Sequence, residues 1–312
     1  MKKHLFLYLL LTFSNLTLVQ AKDVPHVIVT LKPIHSLVSG IMEGISKPDL
    51  LLSGGESPHT YHLKPSQMSR LSQADLVIWV GPMIENFLVK FLELYPERQI
   101  KLMNLQGLHL LKLRGGALWQ DSDHDSSSSP MEDFQFDQHI WLDPYHAQVM
   151  VTAIAKKLGQ LDARHAKDYL AHADRLNERL KKLDQSLATQ LSSLKQQPFL
   201  VFHDAYQYFE KRYGLTALGV ISISPEQRPS VRHLHELRQR LSQIRCVFKE
   251  PQFEETLVAT LLQGTSIRVS TLDPLGMQLN SGTETYFQLL ENLGQTLKTC
   301  LTDGSYSSSN LK

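Results

Sequence analysis

The chain has 312 residues, enough for two domains or one large domain. Its composition, 42% hydrophobic and 20% charged, excludes disordered and fibrous proteins. Its 32 Lys and Arg nearly balance 31 Asp and Glu, so charge gives no reason to expect nucleic acid as a partner. With 14 His and only 2 Cys, the chain has too few thiols for Cys-built zinc fingers or an iron–sulfur cluster. Any metal site must use histidines and carboxylates.

Residues 1–21 have the pattern of a secretory signal peptide. Lys2 and Lys3 precede a mostly apolar run, 5–18, and residues 19–21 fit a signal-peptidase site. The apolar run is shorter than the ~20 residues that a membrane-spanning helix needs, and no later stretch reaches that length. We therefore predict cleavage near Ala21 and an exported protein that is not embedded in the membrane.

Short apolar strands alternate with amphipathic helices along the mature chain, which is typical of α/β proteins. Strands are predicted at 26–30, 50–52, 76–80, 199–202, 218–221 and 246–248, and helices at 34–44, 66–74, 205–213 and 230–243. A long helical segment, 161–196, separates the two sets. The roughly 30 residues from Asp162 onward would span about 45 Å at 1.5 Å per residue, so we interpret the segment as a rigid connection.

The predicted organisation is an N-terminal lobe, 22–160, the linker helix, 161–196, and a C-terminal lobe, 197–312. The lobes are similar, because segment 64–80 has a weak counterpart in 228–248: both run from a basic-Pro-Ser triplet through a helix and Leu-Ser-Gln into a strand. In such architectures ligands lie at the carboxyl ends of the strands, which here meet in the cleft between the lobes.

One segment of the N-terminal lobe differs in composition from the rest. Residues 115–138 are rich in glycine, serine and acids and cannot form a core, so we expect a mobile loop there. The Ser-rich tail after Cys300 is also expected to be disordered.

Export affects the interpretation of the two cysteines. In an oxidising compartment Cys246 and Cys300 can pair, and the closed loop would stabilise the fold by about 4 kcal/mol through chain entropy. The alternative is two free buried thiols. The even count in an exported protein favours the pair.

Three histidines and one aspartate stand at predicted strand ends or loop tips. His59 lies in a loop, His139 begins an apolar segment, His203 directly follows a strand, and Asp273 holds an equivalent position late in the chain. Taken singly, each such residue is more often structural than metal-binding. Two ligands from each lobe would together form one N₃O site, a donor set that suits Zn²⁺.

Four further residues are candidates for a supporting role. His62 forms an H-x-x-H pair with His59, a weak indication of ligation when distant ligands complete the shell. His35, just past the first strand, is either a partner behind the ligands or a solvent-contacting residue at a helix N-terminus. Asp204 is placed to orient a neighbour or to stabilise a helix N-terminus. Glu56 is the acid nearest to His59.

Taken in order, these motifs resemble the zinc-specific periplasmic substrate-binding proteins of ABC transporters, the ZnuA group of a cluster that includes manganese binders. The resemblance runs from about Val24 to Cys300. It rests on H-x-Y-x-L-x-P-S at 59–66, ADLVIWVG at 74–81, HIWLDP at 139–144, VFHDAY at 201–206, FKEPQF at 248–253 and TLDPLG at 271–276.

The resemblance implies two α/β lobes, each with a mostly parallel sheet, joined by one long backbone helix, with zinc in the cleft. It implies that His59, His139 and His203 are ligands, that Asp273 can close the shell, and that the two cysteines match a disulfide of some members. It also implies a monomer that captures Zn²⁺ in the periplasm and docks transiently on a membrane ABC permease.

The chain departs from the family pattern in two places. Some members have a Glu immediately before the first ligand histidine, where this chain has Pro58, so the fourth donor lies between Asp273, a water and Glu56. Many members have a His-rich loop, where this chain keeps only His124 among acids and serines. Manganese-binding relatives resemble this chain but have a carboxylate in place of His203, and a third imidazole favours Zn²⁺ over Mn²⁺.

The alternatives are a manganese- or iron-binding homologue and, from another class, a zinc hydrolase. Three histidines with an open fourth position would suit a catalytic zinc. The chain has no H-E-x-x-H motif and no evident general base among the ligand motifs, so we predict that it is not an enzyme. Nothing in these residues indicates a role in cell adhesion.

Overall fold

The computed structural model describes residues 24–53, 55–115, 118, 134–222, 229–253 and 255–302. The predicted signal peptide with its cleavage site, most of the predicted loop 115–138 and the end of the predicted tail lie outside these residues. Within the described ranges, no helix is both long and apolar enough to cross a membrane.

The N-terminal lobe is built on a four-stranded parallel sheet with the order β2-β1-β3-β4. Buried apolar side chains of β1 alternate between two hydrophobic clusters, one on each face of the sheet, as Val27 and Ile28 show. The elements of this lobe are β1 (Val27–Val29), α1 (Lys32–Ile41), β2 (Asp49–Leu50), α2 (Pro65–Gln73), β3 (Leu76–Trp79), α3 (Val89–Leu92) and β4 (Gln99–Lys101).

Two helices follow in the middle of the chain and pack against each other. Helix α4 (Pro144–Leu161) begins at Asp143, whose side chain accepts a hydrogen bond from the amide of Tyr145 at 2.8 Å. Helix α5 (Ala166–Leu191) has 26 residues, about 39 Å of helix, with single 3₁₀ turns before and after it. The predicted long central helix is therefore confirmed. Its buried leucines are Leu176, Leu180, Leu183, Leu187 and Leu191, whereas Leu170 is exposed.

The C-terminal lobe repeats the architecture of the first. Its parallel sheet has the order β6-β5-β7-β8, so the first strand of each lobe lies between the second and the third. This confirms the prediction of two similar lobes. The elements are β5 (Phe199–Val201), α6 (Gln207–Tyr213), β6 (Ala217–Val220), α7 (Val231–Arg240), β7 (Cys246–Lys249), α8 (Glu255–Leu262) and β8 (Arg268–Thr271).

The last helix, α9 (Thr285–Thr302), packs against both α1 and α5. A Cβ on Gly294 would lie 2.7 Å from the side chain of Leu187, so glycine permits the close approach of α9 to α5. A disulfide between Cys246 and Cys300, with Cα atoms 6.0 Å apart, ties α9 to β7 and confirms the predicted pair. The C-terminal helix thus contacts elements of the N-terminal lobe as well as its own.

Candidate metal centre

The structure brings three of the predicted residues together. One ring nitrogen each of His59, His139 and His203 lies within 4.8 Å of the others, and the Nε2 atoms of His139 and His203 are 3.4 Å apart. Nitrogens bound tetrahedrally to one Zn²⁺ at about 2.0–2.1 Å would lie about 3.3 Å apart. Across the described residues, no other group of three His, Cys, Asp or Glu side chains forms such a cluster.

The three histidines come from both lobes. His59 lies in the 3₁₀ turn Pro58–Thr60, and His139 precedes the 3₁₀ turn Ile140–Leu142. His203 follows β5 at the carboxyl end of the second sheet. The cluster therefore spans the cleft between the lobes, where parallel sheets present their ligand-binding edges.

Each of the three rings has an acceptor at its Nδ1 atom. When Nδ1 donates a proton to such an acceptor, the lone pair of Nε2 is available to a metal ion. The contacts are His59 Nδ1 to Met83 O at 3.0 Å, His139 Nδ1 to Asp137 Oδ1 at 2.8 Å, and His203 Nδ1 to Glu250 Oε1 at 2.8 Å. The rings are thus held in the tautomer and orientation that metal binding requires.

Burial sets the protonation of this cluster. Desolvation, with a contribution from nearby His203, lowers the pKa of His139 to about 3, so that ring is neutral at physiological pH. Burial also lowers the pKa of His203, but the carboxylate of Glu250 more than offsets it and the net pKa is raised. Burial raises the pKa of Asp137 to about 7. Among these three groups, protonation is therefore least favourable at His139.

The space between the rings is small and closed by apolar side chains. The cavity has a volume of about 10 Å³, close to the minimum for one water molecule. Its lining includes the three histidines and the side chains of Trp141, Gln252, Phe253 and Pro274. This space accommodates a single ion and excludes an organic substrate.

Asp273, the fourth predicted ligand, lies outside the cluster. It follows β8, and its carboxylate accepts hydrogen bonds from the amides of Leu275 at 3.1 Å and Met277 at 2.6 Å and from the Gln252 side chain at 3.1 Å. The segment after it is fixed by the N-terminal lobe, because Trp141 Nε1 donates to the carbonyl of Pro274 at 2.7 Å. Ligation by Asp273 stays a prediction.

Of the four predicted supporting residues, Asp204 lies near the cluster, where its charge acts to raise the pKa of His139 and of His203. Glu56 and His62 are exposed. His35 Nε2 contacts the carbonyl of Pro48 at 3.0 Å. Pro48 lies at the amino end of β2, and the histidine cluster lies at the carboxyl ends of the strands. Asp204 accepts from the guanidinium of Arg114, with Nε to Oδ2 at 2.9 Å.

Two residues that hold the rings, Asp137 and Glu250, are absent from the sequence prediction. Asp137 belongs to the predicted loop 115–138, but it is only 1% exposed. Both the backbone amide and the ring of His139 donate to its carboxylate. The short Asp-x-His spacing is a usable indication. Glu250 directly follows β7, so it lies at the same carboxyl end of the sheet as His203. That position after a strand is the feature of the sequence that could have identified Glu250 as part of the site.

Comparison with known proteins gives one consistent result. The ZnuA family model, described as zinc-uptake complex component A, periplasmic, matches residues 27–300. The high-affinity zinc uptake system protein ZnuA of Brucella abortus strain 2308 is 38% identical over 304 residues, covering 88% of this chain and 91% of that protein.

Solved structures agree with the sequence comparison. A crystal structure of ZnuA is 25% identical with a TM-score of 0.75, covering 90% of this chain and all of that one. The periplasmic zinc binding protein TroA of Treponema pallidum, at 21% identity, has the same fold with a TM-score of 0.76, covering 89% and 99% of the two chains.

Proposed function

Because the chain belongs to the ZnuA family of periplasmic zinc-uptake components, we propose that it captures Zn²⁺ in the periplasm and delivers it to an ABC-type permease. The observation that carries this proposal is the convergence of His59, His139 and His203 from two lobes on one ion-sized cavity. Their Nδ1 contacts support zinc ligation through Nε2.

The proposed ligand set explains the choice of metal. Three imidazoles from His59, His139 and His203 suit the borderline-soft Zn²⁺ better than the harder Mn²⁺. A fourth donor completes the shell, and the sequence offers Asp273, a water or Glu56 for it. With a protein side chain as the fourth donor, the shell is complete and suits an ion held for transfer, and no position remains for a catalytic water.

The remaining parts of the proposal concern the path of the protein and its partner. Residues 1–21 direct export and are removed near Ala21, as their charged start and apolar run support. The mature protein acts as a monomer and docks transiently on the permease with both lobes. It does not act as an enzyme, since the cavity of about 10 Å³ has no room for an organic substrate.

Metal analysis of untagged protein purified from the periplasm tests this function. We expect one equivalent of zinc, and chelator competition should give a dissociation constant that rises sharply in His59→Ala. His62→Ala is the matched control, because His62 lies three residues away, is exposed and should leave affinity unchanged. One equivalent of manganese or iron in place of zinc, or hydrolysis of esters or peptides by the zinc-loaded protein, would refute the proposal.

A further inference from the structure

A glutamine lies at the zinc cavity with an unused acceptor. Gln252, three residues after β7, lines the same cavity as His59, His139 and His203. Its side-chain oxygen, Oε1, is buried and has no hydrogen-bond partner. Buried amide oxygens are nearly always satisfied in folded proteins, so this atom lacks a partner that the functional state should supply.

The orientation of this side chain is fixed by chemistry. Gln252 Nε2 donates to Asp273 Oδ1 at 3.1 Å. An ionised carboxylate only accepts hydrogen bonds, so the reverse orientation, with Oε1 against Asp273, would set two acceptors against each other. Asp273 is itself held by the amides of Leu275 and Met277. The Gln252 oxygen is therefore directed away from a rigid anchor.

The same arrangement holds each histidine of the cluster. His139 and His203 donate to Asp137 and Glu250, and His59 contacts the carbonyl of Met83. Gln252 donates to Asp273 through Nε2 in the same way, and its other polar atom, Oε1, has no hydrogen-bond partner and is free to bind a metal ion. We propose that Gln252 Oε1 is the fourth donor to the zinc ion, and that Asp273 is a positioning residue that holds Gln252.

This inference rests on the proposed zinc-binding function and specifies its fourth ligand. Because three neutral imidazoles and a neutral amide carry no charge, the zinc ion and its four ligands would together keep the full +2 charge of Zn²⁺. That charge is balanced one hydrogen bond further out by Asp137, Glu250 and Asp273.

The visible absorption of the Co²⁺-loaded protein tests the assignment, because cobalt d–d bands respond to each ligand. We expect Gln252→Ala and Gln252→Leu to shift these bands and to weaken zinc binding by about tenfold or more. Gln185→Ala, at an exposed glutamine of α5, is the matched control and should change neither. Unchanged bands and affinities within about twofold of the parent protein in both Gln252 variants would overturn the proposal.

A double-mutant cycle separates the roles of Gln252 and Asp273. If Asp273 acts through Gln252, Asp273→Ala reproduces the Gln252→Ala spectrum and has no further effect in the Gln252→Ala background. Asp273→Asn, which can still accept from Nε2, should retain most of the affinity. If Asp273→Asn abolishes the parent spectrum while the Gln252 variants keep it, Asp273 is the ligand and the proposal is wrong.

The cycle also distinguishes failure of this inference from failure of the proposed function. Parent protein that binds neither Zn²⁺ nor Co²⁺ would refute zinc capture itself. Parent protein that binds both, with Gln252 variants that behave identically, refutes only the fourth ligand. Thermal unfolding of each metal-free variant shows that the folded state is preserved.

Discussion

Replacing His203 with Glu tests the zinc centre most directly, because it changes one donor and creates a defined conflict behind it. The substitution removes the imidazole that the C-terminal lobe contributes and supplies a harder oxygen donor. The exchange of donor type alone should weaken zinc binding by about tenfold or more and raise the affinity for Mn²⁺ relative to Zn²⁺.

The structure adds an electrostatic cost to that exchange. His203 Nδ1 lies 2.8 Å from Glu250 Oε1, and the two side chains are only 7% and 1% exposed. Two carboxylates there, about 4 Å apart at an effective dielectric constant of about 20, repel each other by about 4 kcal/mol, so in the metal-free variant the pair should hold a proton between them. Zinc must displace that proton, so zinc affinity in His203→Glu should fall by about tenfold or more and the loss should grow as the pH is lowered.

The double variant His203→Glu/Glu250→Gln separates the two terms. It keeps the oxygen donor and removes the like charge, so its zinc affinity, measured at several pH values, should depend less on pH than that of His203→Glu. Chelator competition with Zn²⁺ and Mn²⁺ on the parent, both single variants and the double variant completes the cycle. An unchanged zinc dissociation constant in His203→Glu would refute ligation by His203, and a double variant whose zinc affinity varies with pH as steeply as that of the single one would refute the repulsion by Glu250.

Three other predictions follow from the same structure. The carboxylate of Glu250 more than offsets burial and raises the pKa of His203 above its usual value of 6.5, and zinc must displace the proton from this ring. Zinc affinity should therefore be constant above that pKa and fall about tenfold or more per pH unit below it. Calorimetric titration across this range checks it, and a flat profile contradicts it. Changing Cys246 and Cys300 to Ser together opens a 54-residue loop and should lower the free energy of unfolding in urea by about 4 kcal/mol; a loss below about 1 kcal/mol contradicts this. Deleting residues 122–132 should leave the zinc dissociation constant unchanged, because the three proposed histidine ligands lie outside this segment. A large loss of affinity in competition assays would contradict this.

The fold could be predicted from the sequence where burial leaves a clear pattern. Strands β1 and β3 are continuous apolar runs, because both faces of each strand are covered. Edge strands β4 and β8 were missed, since their half-exposed, alternating residues resemble loop composition. The boundaries of α1 and α7 shifted by a few residues, as 3₁₀ turns and prolines at helix ends obscure them.

The site could be predicted only in part, for a physical reason. His59, His139 and His203 can be recognised in the sequence as possible metal donors, because they stand at strand ends or in loops. Their convergence then follows from the architecture of two lobes. The residues behind them, Asp137 and Glu250, are ordinary acids in composition. Their role depends on hydrogen-bond geometry across the cleft, which sequence spacing does not specify.

The packing of α9 has a consequence for biosynthesis. Ser36 on α1 accepts a hydrogen bond from the amide of Tyr286 at 3.0 Å, so part of the surface of α1 is completed by the end of the chain. Translation proceeds from the N-terminus, so α1 is made before α9 can cover that surface. Cys300 can join Cys246 only when the last helix is in place. The disulfide therefore closes only in a chain that includes α9, and a chain truncated before this helix should leave that face of α1 open to proteolysis.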